Sequence, residues 1–196
     1  MENPSPDIIN SRIDLLRSTM KQAGVAATVI PQSDPHQSEY IADHWQFRRF
    51  LSGFTGSAGT LVVTLDKALL WTDSRYFIQA ADQLRYTQIS LVKALPDSPT
   101  VDSFLTDSLQ TGDTVGINGI LFSHKYVDAL KSTLATKHIR LDMQFDPSDQ
   151  LIFFYIGIAA IIIIIVLFIK NKISNAVQRK QQKQREGDNE SHDETT

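Results

Sequence analysis

The chain has 196 residues, of which 42% are hydrophobic and 21% charged, a composition that suits a globular domain and excludes wholesale disorder and fibrous classes. Nineteen Lys and Arg residues against 22 Asp and Glu residues give a net charge of -3, so we expect no nucleic-acid partner. The absence of cysteine excludes disulfide scaffolds, thiolate zinc sites and cysteine nucleophiles.

Residues 1–147 show the signals of four helices. Ser5 and Pro6 predict a helix start, an apolar stripe follows at helical spacing, and Gly24 predicts the helix end. Three further helices are predicted over 73–84, from residue 98 to residue 112, and from residue 123 onward.

Six short runs of β-branched or apolar residues alternate with these helices and predict strands: 25–31, 60–65, 68–71, 89–92, 115–118 and 139–143. Asp66 and Lys67 lie between two of the runs and predict a tight hairpin. The alternation predicts an α/β domain, a mixed β-sheet of about six strands flanked by helices, over residues 1–147.

Residues 151–169 are nineteen positions without a charge, an amide or a proline. As a helix they extend about 28 Å, close to the roughly 30 Å of a bilayer core, and therefore predict a single C-terminal transmembrane helix. A buried core helix or a strand is the alternative. Residues 170–196 are first basic and then acidic and polar, which predicts a disordered tail.

Two cues to the membrane orientation disagree. More Lys and Arg residues follow the apolar run than precede it, which would place the tail in the cytoplasm. The N-terminus has neither the basic nor the apolar region of a signal peptide, which favours a cytoplasmic body. We expect a single-pass membrane protein with a cytoplasmic body, because the charge rule is weak for long domains.

Asp34, His36 and Glu39 lie within six positions and carry metal-ligating atoms. Their spacing is loose, and Pro35 favours an extended local backbone. A structural or surface role is therefore favoured over a metal site.

The glycine-rich segment 52–60 and the two arginines before it suggest an anion site. The segment lacks the Lys-Ser/Thr ending of a phosphate-binding loop and precedes a strand instead of opening a helix, so a tightly turning loop is favoured. Arg48 and Arg49 either contact anionic ligands or form ion pairs with Asp43 or Glu39.

Arg75 lies two residues after Asp73, which is placed as a helix cap. Its planar guanidinium suits a carboxylate or a peptide carbonyl. The alternative is an internal ion pair with Asp73 or Asp82.

Four blocks in consecutive order resemble one family: HQSEYI at 36–41, RR at 48–49, SGF-x-GSAGT at 52–60 and WTD-x-RYF at 71–77. Together they resemble the N-terminal domain of Xaa-Pro aminopeptidase (aminopeptidase P) in the creatinase/aminopeptidase P family. The likeness covers roughly residues 7–147. Ser74 stands where the family usually has Gly, and Pro35 where Ala is common.

The resemblance implies a role in peptide cleavage. Enzymes of this family release the N-terminal residue of peptides with Pro in second place, and they use two divalent metals, usually manganese, held in a C-terminal domain. The N-terminal domain helps to assemble oligomers and narrows the entrance to the active site. The Arg of the WTD-x-RY block contacts the substrate, so the resemblance implies that Arg75 binds peptide.

The likeness stops near Pro147, so the chain is expected to hold no catalytic residues and no metal or other cofactor. The first hypothesis is a membrane-tethered accessory domain that is inactive alone and associates with a peptide, a full-length homologue or the lipid bilayer. The second is a metalloaminopeptidase subunit or fragment that contributes to hydrolysis in trans. A third is a membrane adaptor that binds anionic lipid through its basic tail.

Overall fold

A computed structural model describes residues 4–148, 151, 163–170 and 172. The chain divides into two compact units, 1–151 and 152–196, and each is considered by itself. The first unit contains every strand described below. In the second unit the described residues are helical.

The first helix, α1 (Pro6–Ala23), begins and ends at the residues that the sequence indicates. Pro6 occupies the first turn, and Gly24 closes the helix in the left-handed conformation at φ 67°, with its N–H bonded to the Lys21 carbonyl. The predicted stripe along one face is buried: Ile9, Ile13, Leu16 and Met20. Burial of this stripe, more than intrinsic propensity, holds α1 on the sheet.

Six strands form one sheet in the order β4-β3-β2-β1-β5-β6. Their bounds are β1 (Ala27–Pro31), β2 (Thr60–Thr64), β3 (Ala68–Thr72), β4 (Ser90–Lys93), β5 (Thr114–Gly116) and β6 (Arg140–Asp142). Strand β2 is antiparallel to both of its neighbours, and the other pairings are parallel. The carboxyl ends of β1, β3, β4, β5 and β6 therefore share one edge of the sheet.

Helices cover both faces of the sheet. One core cluster lies under α1, α2 (Phe47–Ser52) and α3 (Phe77–Gln83), and the other lies under α4 (Val101–Ser108) and α5 (His124–Ala135). Strand β2 shows the division directly, because Leu61 and Val63 enter the first cluster while Val62 enters the second. The mixed six-stranded sheet with flanking helices is confirmed.

The bounds of two helices differ from the sequence prediction, and a third helix was not predicted. The predicted helix 73–84 is a 3-10 turn, Ser74–Tyr76, followed by α3. Helix α4 is capped by Thr100 and ends at Ser108, four residues before the glycine that was taken as its end. Helix α2 was not predicted, because six residues are too few to show a helical period.

The transmembrane helix predicted over 151–169 is not found among the described residues. Leu151 is fully buried in the core cluster of the first unit, and the described residues 163–170 are helical. Among the described residues no helix is both long and apolar enough to cross a membrane. The predicted single-pass membrane location with a cytoplasmic body is wrong on this finding. Positions 152–162 of the predicted span, and 171 and 173–196 of the predicted tail, lie outside the described residues.

Candidate functional site

Most of the candidate residues lie at the edge where the parallel strands end. Arg75 follows β3, Asp34 follows β1, and the glycine-rich segment, which we call the glycine loop (residues 53–59), leads into the antiparallel β2 at the same edge. Open α/β sheets bind ligands at the carboxyl ends of their strands. The edge is therefore the part of the first unit in which a site is sought.

Arg75 is held by the carboxylate two residues before it. Its Nε donates to Asp73 Oδ1 at 2.9 Å, and an Nη donates to Asp73 Oδ2 at 2.8 Å. The Arg75 backbone N–H also donates to Asp73 Oδ1, which caps the 3-10 turn. The hydrogen bond from the Arg75 side chain lowers the pKa of Asp73 below its ordinary value. Asp73 and Asp82 were both considered as ion-pair partners of Arg75, and the partner in the structure is Asp73.

The Arg75 side chain remains accessible despite this pair. Its exposed fraction is 67%, and its guanidinium carbon lies 5.2 Å from the ring centre of Tyr76. Two of the five guanidinium N–H groups are donated to Asp73, and the others face away from it. Arg75 thus presents an oriented cation at the sheet edge.

Tyr76 joins Arg75 to the glycine loop. Its hydroxyl lies 2.6 Å from the Ser57 hydroxyl, and its ring meets the Phe54 ring edge to face at 6.0 Å. A Cβ at Gly56 would lie 2.3 Å from Phe54 Cζ and 2.8 Å from Tyr76 Cδ1. Position 56 must be glycine because the two rings leave no room for a side chain.

The glycine loop is a tight turn. The sequence favoured this interpretation over a phosphate-binding loop. Gly53 closes α2 in the left-handed conformation at φ 68°. The carbonyl oxygens of Phe54 and Gly56 point inward to Arg48, and the Thr72 hydroxyl donates to the Ala58 carbonyl at 2.6 Å. The loop is thereby fixed to β3 and to α2.

Arg48 and Arg49 do not form the ion pairs considered for them. Arg48 is buried, with 1% of its surface exposed, and donates to the two loop carbonyls. Arg49 donates to Gln46 Oε1 at 3.0 Å. Within residues 4–148 neither arginine pairs with Asp43 or Glu39. Because Arg48 is buried and bonded to the loop, it is unavailable to an anionic ligand.

The Asp34 cluster is committed to its own turn. The Asp34 carboxylate accepts from the backbone N–H groups of His36 and Ser38 at 2.9 and 3.0 Å, and the Ser38 bond is the main reason that its pKa is lowered. The side chains of His36 and Glu39 are exposed. In the described parts of the chain no three His, Asp or Glu residues group as metal ligands would. These residues do not fit a metal centre.

Two clefts that the sequence did not indicate flank the point between β1 and β5, where the chain connections change direction. The larger, about 620 Å³, lies at the first turns of α4 and α5 and holds Asp102 and Tyr126. Burial raises the pKa of both groups, and their side-chain oxygens lie 3.5 Å apart. In the sequence Asp102 gives only the signal of an acidic first helical turn, so the pairing could not be predicted.

Known proteins resemble this chain over the same region. The Creatinase/Prolidase N-terminal domain family matches residues 12–150. Aminopeptidase P2 of Arabidopsis thaliana is 43% identical over 136 residues, which is 68% of this chain and 19% of that protein. Xaa-Pro aminopeptidase 1 of Dictyostelium discoideum is 39% identical over 142 residues, which is 72% of this chain and 22% of that protein. The chain thus spans about a fifth of the length of these relatives.

Solved structures agree with this match. An X-prolyl aminopeptidase from Caenorhabditis elegans, described as a cytosolic enzyme with a di-nuclear active site, has a TM-score of 0.68 and 32% identity over 72% of this chain and 25% of that one. The N-terminal domain of the cytoplasmic peptidase PepQ from Mycobacterium tuberculosis has a TM-score of 0.52 and 27% identity over 72% of this chain and 98% of that one. This chain belongs to the creatinase/prolidase N-terminal domain family, in the form found in Xaa-Pro aminopeptidases.

Proposed function

We propose that this chain serves as the accessory N-terminal domain of an Xaa-Pro aminopeptidase-like protein and that it contacts peptide through Arg75. The observation that carries the proposal is the exposed, oriented guanidinium of Arg75 at the strand-end edge of a family fold. The relatives named above are Xaa-Pro aminopeptidases, so the ligand class is a peptide with Pro in second place.

The geometry suits this recognition. The Asp73 fork holds the guanidinium plane and leaves N–H donors that can bond to a peptide carbonyl or to a carboxylate. Because the side chain is already oriented, less conformational entropy is lost on binding.

The same proposal assigns bond cleavage to other parts of such a protein. The di-nuclear active site belongs to the C. elegans enzyme, of which this chain matches a quarter. In the relatives the metals supply the hydrolytic chemistry; the residues described here supply binding and orientation only. A full-length homologue is proposed as the protein partner, because the N-terminal domains of the family assist oligomer assembly.

The peptide contact is tested by calorimetric titration of the chain with an Arg-Pro-Pro peptide. Loss of a charge-assisted hydrogen bond costs about 1.5–3 kcal/mol, so Arg75→Gln is expected to weaken binding by roughly 10- to 150-fold. Arg85→Gln is the matched control, because Arg85 is also exposed and paired with an aspartate, Asp82. Equal affinities of the wild-type chain and Arg75→Gln would contradict the peptide contact.

The absence of cleavage is tested on the same samples. The chain is incubated with the peptide and Mn²⁺, and release of the N-terminal residue is followed by chromatography. We expect no release by the chain alone. Turnover that scales with chain concentration would contradict the accessory role.

A further inference from the structure

Arg48 is a buried cation without a carboxylate partner in residues 4–148. Only 1% of its surface is exposed, and its Nε has no hydrogen-bond partner. Desolvation, with repulsion from Arg49 second, lowers the pKa of Arg48 to about 10. Burial of an uncompensated charge is costly, and apolar residues of similar size often fill such positions with better stability. The position of Arg48 therefore needs a reason other than stability.

The geometry of its hydrogen bonds supplies that reason. One Nη of Arg48 donates to the Phe54 carbonyl at 2.8 Å and the other to the Gly56 carbonyl at 2.5 Å. The guanidinium also packs against the Phe54 ring, 4.7 Å from its centre. A rigid planar fork that bridges two carbonyls two residues apart fixes the glycine loop in one conformation.

The fixed loop in turn fixes Tyr76. Phe54 packs against the Tyr76 ring, Ser57 is paired with the Tyr76 hydroxyl, and Gly56 lies against both rings. A shift of the Phe54 or Gly56 carbonyl would move these three contacts together. Arg75 lies over the Tyr76 ring, so its guanidinium depends on the position of that ring.

We propose that Arg48 is a positioning residue that holds the glycine loop against Tyr76 and thereby, together with the Asp73 fork, sets the orientation of the Arg75 guanidinium. The inference rests on the proposed function for its meaning, since Arg75 is the proposed peptide contact. The positioning itself is a property of the free chain and is tested without peptide.

The test is NMR of the chain with isotope-labelled arginine. The Tyr76 ring shifts the Arg75 side-chain resonances, and Tyr76→Leu gives their values without the ring. We expect Arg48→Met to move these resonances toward the Tyr76→Leu values. Arg48→Lys, whose single ammonium can replace only part of the fork, is expected to give intermediate values.

The control is Ile13→Val in the buried stripe of α1, which lowers the unfolding temperature and changes none of the hydrogen bonds or ring contacts described for the glycine loop. It is expected to leave the Arg75 resonances unchanged. Wild-type Arg75 resonances in Arg48→Met, or equal shifts in Ile13→Val, would overturn the positioning role. If Arg48→Met does not fold, Arg48→Lys decides the question, because wild-type resonances there would also overturn it.

A peptide arm separates this inference from the proposed function. Where the wild-type chain binds peptide, Arg48→Met is expected to bind about tenfold more weakly, with Arg48→Lys partly restored. A wild-type chain that does not bind peptide contradicts the proposed function, while the resonance measurements still decide the positioning role. Unchanged affinity in an Arg48→Met chain whose Arg75 resonances have shifted contradicts the peptide contact through Arg75 and leaves the positioning role intact.

Discussion

At the scale of single residues, Asp73 and Arg75 form a pair in which each charge orients the other. The carboxylate caps the 3-10 turn and receives two N–H groups of the guanidinium. Both side chains stay accessible to solvent, so the pair contributes orientation more than stability. The electrostatic effect of Arg75 on Asp73 is nevertheless measurable.

The pair predicts a pH dependence. The pKa of Asp73 is lowered in the folded chain, so the stabilisation it provides is present above the unfolded pKa of about 3.9 and is lost as the pH falls through the lowered value. Arg75→Gln is expected to return the pKa of Asp73 toward about 3.9. The measurement is a carboxyl-carbon NMR titration, with Arg85→Gln as the control. An unchanged Asp73 pKa in Arg75→Gln would show that the fork is absent in solution.

Arg48 shows what a sequence cannot reveal about a single residue. The adjacent arginines were interpreted as ligand contacts or as ion pairs with Asp43 or Glu39, because those residues lie close in sequence. The observed partners are backbone carbonyls, and every residue has one, so no side-chain pattern marks them. The Asp73–Arg75 pair could be foreseen because both partners carry charge and lie two positions apart.

At the scale of elements, the glycine loop is the part of the site most sensitive to volume. Gly56→Ala would force its Cβ into the Phe54 and Tyr76 rings, and overpacking of this kind costs about 1–3 kcal/mol. We expect a corresponding decrease in the free energy of unfolding, measured by urea denaturation, together with a shift of the Tyr76 ring resonances.

Gly24→Ala separates this crowding from the general effect of replacing a glycine. Gly24 has φ 67° with no atom near its added Cβ, so the substitution is strained by its backbone alone, at about 1–2 kcal/mol. It is expected to destabilise the chain and leave Tyr76 unchanged. Gly56→Ala with wild-type stability and wild-type Tyr76 resonances would contradict the packing described for the loop.

Helices with several start, stripe and end signals in the sequence could be predicted, and a helix of only six residues could not. Helix α1 carries a proline start, an apolar stripe of about three turns and a glycine end, so the sequence places it correctly. Helix α2 has six residues and owes its position to the packing of Leu51 and to the anchoring of Arg48 in the core. Such tertiary contacts cannot be predicted from the local periodicity of the sequence.

At the scale of the whole molecule, the alternation of helices and strands predicted the layered sheet, but it could not give the strand order. The β1–β5 pairing joins segments more than eighty residues apart, and this pairing creates the switch point with its two clefts. Motif resemblance supplied the family, which the comparisons confirm.

The transmembrane prediction for residues 151–169 rested on composition, which reports only a transfer free energy. The first of these residues, Leu151, packs in the α/β core with Ile9 and Ile13. Burial in a protein core also removes an apolar side chain from water. Composition alone cannot distinguish these two environments.

The proposed function depends on Arg75 as the residue through which this domain would contact peptide. The most direct measurement is an NMR titration of the arginine-labelled chain with the Arg-Pro-Pro peptide, following the Nε–H resonance of every arginine. We expect the Arg75 resonance to shift and saturate, and the Tyr76 ring resonances to respond with it. Saturable binding that leaves the Arg75 resonance unmoved would contradict the proposed function.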